Sequence, residues 1–135
     1  MFNDLMEAIE ARPKNFGPMR DASAHAKNTG PCGDTVEIWL QISGGRIRKG
    51  SFMSDGCGYS MHCCSTAVKL AEGLRPEEAT EMTQTQVLEA TGPVPVDHRH
   101  CALLAANTIK KTIYNFHNAP AKPTFTQRIK KLFKK

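Results

Sequence analysis

No stretch of this chain reaches the run of about 18 apolar residues that a membrane-spanning helix needs, so no such helix is expected. The opening residues, Met1-Phe2-Asn3-Asp4-Leu5-Met6-Glu7, carry acids and lack the basic stretch of a secretory leader, which makes the cytoplasm the expected compartment. Paired cysteines are also missing: none of the five has a partner at C-x-x-C spacing. An odd number of thiols in a reducing compartment reads as metal ligands, redox groups or buried apolar side chains rather than disulfides. Acidic residues are absent from Ala119 to Lys135, where Lys122, Arg128, Lys130, Lys131, Lys134 and Lys135 accumulate. The net charge of +5 therefore belongs to a tail, because residues 1–118 hold 12 basic and 13 acidic side chains. A uniformly basic surface for nucleic acid is not expected.

What is present suits one domain over residues 1–118, followed by the basic tail 119–135. At 135 residues and 40% hydrophobic content, the chain can bury roughly two-thirds of its unfolded surface and needs no disulfide or metal to stay folded. Phe2, Leu5, Met6 and Ile9 mark one face of a short helix that Pro13 stops. Val36, Ile38, Leu40 and Ile42 alternate with Thr35, Glu37, Trp39 and Gln41, the pattern of a half-buried strand. Ser43-Gly44-Gly45 predicts a hairpin turn into a second strand ending near Ser54, and a weaker strand is expected around Ala22–Asn28. After Cys57 the period becomes helical, with Met61, Cys64, Ala67, Val68, Ala71 and Leu74 on one stripe and Gly73 near the end. Pro76-Glu77-Glu78 reads as a helix start, Thr85–Glu89 as a short helical turn, and His100 to Phe116 as a last helix. The expected class is α+β: a small antiparallel sheet of two to three strands packed against several helices.

Three cysteines fall at the edges of these elements. Cys32 precedes the first clear strand, Cys57 lies between Gly56 and Gly58 ahead of the long helix, and Cys101 follows His100 at the start of the last helix. Element ends are where a scaffold presents functional groups, and neighbouring glycines allow positive φ or close approach of a ligand. A helix N-terminus should lower the thiol pKa of Cys101 and favour the thiolate that binds metal or attacks sulfur. Any one of the three could instead be a small buried hydrophobe. The residues by themselves point to a thiolate metal site.

Taken in order, Cys32-Gly33-Asp34, Gly56-Cys57-Gly58 and His100-Cys101 resemble the three signatures of IscU/NifU N-terminal-type iron–sulfur cluster assembly scaffolds. Pro13-Lys14-Asn15-Phe16-Gly17 is similar to that family's Pro-Arg-Asn-x-Gly loop, and Phe52, five residues before Cys57, also matches. The likeness spans residues 1 to about 117. It implies the IscU-like (SufE/NifU) fold and a non-enzymatic scaffold for a 2Fe-2S cluster. Sulfur would come from a cysteine desulfurase as persulfide, and the cluster would pass to recipient apo-proteins. By position, the resemblance makes Cys32, Cys57 and Cys101 ligands, Asp34 and His100 candidates for the fourth position, and Cys101 the persulfide acceptor. Thiolates are the usual ligands of such clusters and also bind zinc, so Zn2+ could occupy the same residues.

The chain departs from the pattern in two places. Where family members served by a dedicated Hsp70 chaperone carry Leu-Pro-Pro-Val-Lys, this chain reads Pro93-Val94-Pro95-Val96-Asp97-His98-Arg99-His100, with His98 in place of lysine, so chaperone-assisted transfer of that type is not expected. Cys63 and Cys64 stand where small residues such as serine are usual. They read as helix packing, with a sulfur-storing thiol as the sharper alternative. His62 and His98 lie near the expected site in sequence, but a lone histidine more often reads as a surface or satisfied residue; His25 and His117 carry no signal. Phe125, Ile129, Leu132 and Phe133 are spaced as on a basic amphipathic helix that would dock on an acidic partner, the desulfurase first, or on a membrane surface; a frayed, solvated terminus is the commoner reading of such a tail. An alternative to cluster assembly is a zinc-bound sulfur acceptor that activates a desulfurase, as in SufU-like proteins, although the long insertion of that branch is absent between Cys32 and Cys57. A Cys/His enzyme with Cys101 as nucleophile is disfavoured, because adjacent His100 and Cys101 sit awkwardly for a nucleophile–base pair.

Overall fold

The structure, a computed structural model, describes residues 13–31 and 33–118. The expected helix at Phe2–Ile9, Cys32 and the tail 119–135 lie outside the described residues. The sheet is an antiparallel meander of β1 (Ala24–Thr29), β2 (Thr35–Ser43) and β3 (Arg46–Ser54), with β2 in the centre. Val36, Ile38, Leu40 and Ile42 of β2 are buried, while Glu37, Trp39 and Gln41 are half-buried on the other face. A slip of one residue would turn the whole aliphatic row to solvent, so burial of one face fixes the register. Gly44-Gly45 forms the two-residue turn of the β2–β3 hairpin, both at positive φ, with Ser43 opposite Arg46.

On β1, Ala24 and Ala26 point into the core. His25 points outward, stacks on Trp39 with ring centroids 5.0 Å apart, and places Nε2 2.9 Å from Glu37 Oε2. Trp39 thus packs against a histidine on the face of the sheet opposite the aliphatic row.

The helices α1 (Gly58–Ala71), α2 (Pro76–Ala79), α3 (Gln84–Thr91) and α4 (His100–Asn118) follow the sheet, with a 3-10 turn at Val96–His98 leading into α4. α1 packs on β3, α4 packs on β1 and β2, and α3 packs against both long helices. This is the α+β arrangement expected from the sequence. Pro76 opens α2 with Glu77 and Glu78 in its first turn, as predicted. α3 is longer than the expected turn because a capping box starts it: Gln86 N–H donates to Thr83 Oγ1 and Thr83 N–H donates to Gln86 Oε1. Buried Thr108 and Thr112 on α4 satisfy their hydroxyls on the carbonyls of Leu104 and Thr108, each at 2.7 Å. Lys111 and Asn115 donate to the β1 carbonyls of Lys27 and His25, tying α4 to the sheet edge.

The Pro13–Gly17 loop is a clamp. Phe52 N–H donates to Asn15 O at 3.0 Å, and Gly17 N–H donates to Phe52 O at 2.7 Å. Asn15 Nδ2 donates to Ser65 O, and Ser65 Oγ donates to Asn15 Oδ1 at 2.8 Å. The loop therefore joins β3 to α1 and holds the turn between them in place. Phe52 lies fully buried beneath it, edge-on to Phe16 at 5.4 Å.

Candidate metal centre

Three chain segments meet at one end of the sheet. The turn ahead of β2 is closed by Gly30 N–H donating to Asp34 O at 2.8 Å and Gly33 N–H donating to Gly30 O at 3.0 Å, with Gly33 at φ +91°. The exit of β3 is tied to the entry of β2: Thr35 N–H donates to Asp55 Oδ1 at 2.6 Å, and Asp55 N–H donates to Thr35 O. This pairing brings Asp34 over the β3–α1 turn. A Cβ on Gly56 would lie 2.9 Å from both Cγ and Oδ2 of Asp34, so a larger residue there would push the carboxylate aside. Gly58 has neither a positive φ nor a close neighbour, and the conformational role expected of it is not needed.

Cys57 is the residue just before α1. The third segment is the 3-10 turn, in which His98 N–H donates to Pro95 O at 2.8 Å, and it delivers His98, His100 and Cys101 in quick succession. Cys57 Sγ lies 3.6 Å from His98 Nδ1, and Cys101 Sγ lies 3.8 Å from His100 Nε2. Among the described residues two three-ligand sets result, Cys57–His98–Cys101 and Asp34–His100–Cys101, and within each set the donor atoms all fall within 4.8 Å of one another. A tetrahedral ion with about 2.3 Å bonds to sulfur and about 2.0–2.1 Å bonds to nitrogen needs edges of about 3.5–3.8 Å. The donor types and spacings fit a thiolate-bound metal or cluster with little adjustment.

The two thiols differ in exposure. Cys57 is exposed, whereas Cys101 is 1% exposed. The expectation of an acidic Cys101 thiol is reversed by its surroundings. Burial, and after it the neighbouring Cys57 thiol, push the Cys101 pKa up to about 12. The helix N-terminus is outweighed because the thiolate would be dehydrated and would sit beside Cys57, Cys63 and Asp34. A cation at the site reverses this balance by stabilising the thiolate directly.

Cys63 and Cys64 are both fully buried in the hydrophobic core. Burial raises the Cys63 thiol pKa despite a hydrogen bond with Thr91, and it raises that of Cys64 much further. Both behave as packing residues, as the helix-packing reading expects, and Cys63 is as buried as Cys64.

Of the candidates named from the sequence, the fold brings Asp34, Cys57, His100 and Cys101 together, and Cys32 lies outside the described residues. His98 was missed. Its only signal was its place three residues before Cys101, which one tight turn converts into contact with Cys57. His62 lies on the exposed face of α1, and His117 packs against Phe116 at the far end of α4.

The profile of the NifU-like N terminal domain matches residues 3–123. The chain is 31% identical over 117 residues to the Archaeoglobus fulgidus iron-sulfur cluster assembly scaffold protein IscU 1, covering 86% of this chain and 76% of that one. It is 30% identical over 122 residues to the Plasmodium falciparum iron-sulfur cluster assembly protein IscU, covering 85% and 73%. Among solved structures, a nitrogen-fixing NifU-like protein (N-terminal) from Brucella abortus superposes with a TM-score of 0.64 at 17% identity, covering 88% of this chain and 96% of that one. The FiSufU protein of Fervidobacterium islandicum superposes with a TM-score of 0.61 at 15% identity, covering 82% and 94%. Both likenesses are of fold. No helix among the described residues is long and apolar enough to cross a membrane. With the ordered cysteine signatures, the fold and the span of the sequence match in agreement, the chain belongs to the IscU/NifU N-terminal domain family.

Proposed function

We propose that this protein is a scaffold on which a 2Fe-2S cluster is assembled as cargo and then passed to recipient apo-proteins. The observation that carries this reading is the convergence of Cys57, Cys101, His98, His100 and Asp34 from three chain segments at one end of the sheet. Cys32, by its place in the family signature, is the third thiolate. Two or three thiolates supply strong bonds to iron, and a carboxylate or imidazole completes the set with a weaker one. A scaffold must release what it builds, and the Asp34–His100 side supplies the ligand that lets go.

Sulfur arrives as the persulfide of a cysteine desulfurase. A scaffold thiolate attacks the outer sulfur, forms a new S–S bond, and expels the desulfurase thiolate. Each transferred sulfur then takes two electrons from an external reductant to become sulfide. The resemblance assigns acceptance to Cys101. Its burial means that a bound cation or the docked partner must first draw the thiol out as thiolate, and Cys57 is the more accessible of the two. The surface presented to both partners is the rim around Cys57.

A second reading is a zinc-bound sulfur acceptor that stimulates a desulfurase without building clusters. The same thiolate and imidazole donors suit zinc. Anaerobic incubation of the purified chain with ferrous iron, cysteine and a desulfurase separates the two. Absorption bands of a 2Fe-2S centre with about two irons per chain support the scaffold. Tightly held zinc, no colour and faster desulfurase turnover would replace it with the second reading.

A further inference from the structure

We propose that His98 is a metal ligand, and that Cys57, His98 and Cys101 form a site for a single tetrahedral divalent cation, zinc or ferrous iron, that competes with the Asp34–His100 side for Cys101. The proposal rests on the thiolate site described above and adds a residue to it. His98 Nδ1 lies 3.6 Å from Cys57 Sγ, the edge length of a tetrahedral site holding one sulfur and one nitrogen. Both atoms lie within 4.8 Å of Cys101 Sγ.

The imidazole is held in place from two directions. The 3-10 turn fixes its backbone through the bond from His98 N–H to Pro95 O. Tyr59, on the first turn of α1, lies against the ring at a centroid distance of 4.7 Å and a tilt of 34°. Since Cys57 immediately precedes that turn, the ring and the exposed thiol are positioned by the same element. A histidine that bonded Cys57 only as a neutral neighbour would not require Cys101 to lie within reach of both.

Cys101 belongs to both sets, and each ligand atom beyond it belongs to one. An ion held by Cys57, His98 and Cys101 therefore shares Cys101 alone with the Asp34–His100 set. Among the described residues this arrangement supplies three donors and leaves the fourth position to a further ligand. That open position is where a sulfur donor or a second iron site would join.

Cobalt(II), titrated anaerobically into the full chain against a competing chelator, reports both affinity and donor set through its ligand-field and thiolate charge-transfer bands. The proposal predicts that His98→Ala weakens cobalt and zinc binding by about tenfold or more and shifts the ligand-field bands. His98→Cys should restore tight binding with stronger thiolate charge transfer. His100→Ala and Asp34→Ala should weaken affinity for the first ion less than His98→Ala does, and His62→Ala, on the exposed face of α1, should leave it unchanged. Wild-type affinity and spectrum in His98→Ala, or an equal loss in His100→Ala, would overturn the proposal while leaving the thiolate reading in place. Full binding in both Cys57→Ala and Cys101→Ala would overturn the thiolate reading and the proposal with it.

Discussion

Cys57 and Cys64 lie two helical turns apart on one continuous segment, yet they occupy opposite environments. Cys57 is exposed at the edge of α1 with an imidazole 3.6 Å from its sulfur. Cys64 is sealed in the interior of α1, and burial pushes its thiol pKa far above the ordinary range. Cys101 stands between them: buried like Cys64, but with its sulfur open to Cys57, His98 and His100. A thiol at an element edge can meet donors from other segments, whereas one in a helix interior meets only the core. The contrast separates metal-binding chemistry from packing within a single small domain.

The largest break in that contrast is expected from Cys101→Ala. Because both ligand sets share Cys101, bound metal measured by elemental analysis should fall close to zero. The double variant Cys63→Ala, Cys64→Ala should keep its metal and instead lose stability to unfilled core volume, by about 1–3 kcal/mol in urea denaturation. Full metal in the first variant, or none in the second, would collapse the distinction.

Thiol reactivity sharpens the comparison next. Iodoacetamide should label Cys57 of the metal-free protein within the folded state, and mass spectrometry should find Cys63 and Cys64 labelled only as fast as the core opens. Equal labelling of Cys57 and Cys64 would contradict the burial difference.

The pH dependence follows from the raised thiols. Cys101 has its folded pKa above its unfolded value, so its neutral form stabilises the metal-free fold fully below about pH 8.5, and that contribution is lost as the pH rises toward about 12. The urea midpoint of the metal-free protein should fall as the pH is raised from about 8 to about 10, and less so in Cys101→Ala. Metal binding runs the other way: it releases the Cys101 proton, so affinity should climb by up to about tenfold per pH unit in the same range. A flat affinity profile would mean that Cys101 is not a ligand.

How far the sequence foretold this arrangement depended on the kind of signal. β2 was legible because one face of Val36–Ile42 is buried and the other half-exposed, which writes a period of two into the chain. β1 was faint because its inward residues, Ala24 and Ala26, are small and contrast weakly with their neighbours. The edge positions of Cys57 and Cys101 could be read from the change of period on either side. His98 could not, since a single 3-10 turn has no repeat to betray which way a side chain faces. The direction of the Cys101 pKa was also hidden. The helix start that should lower it is visible in sequence, but the burial that raises it comes from segments far away along the chain.

Smaller effects test the frame that holds the site. Gly56→Ala should force the Asp34 carboxylate off the β3–α1 turn, costing about 1–3 kcal/mol in stability, whereas Gly58→Ala should be nearly neutral by the same measurement. Asp34→Ala should slow release of an assembled cluster, read as a longer-lived visible spectrum in the presence of an acceptor protein. Equal or faster loss would remove Asp34 from the role of the weaker ligand.

The most direct measurement is anaerobic cluster reconstitution with a desulfurase, comparing the wild-type chain, Cys101→Ala, and the double variant Cys63→Ala, Cys64→Ala by visible absorption and iron content. The account predicts 2Fe-2S bands and about two irons per chain in the wild type and the double variant, and neither in Cys101→Ala. A cluster that persists in Cys101→Ala, or that vanishes when only Cys63 and Cys64 are replaced in a folded protein, would contradict it.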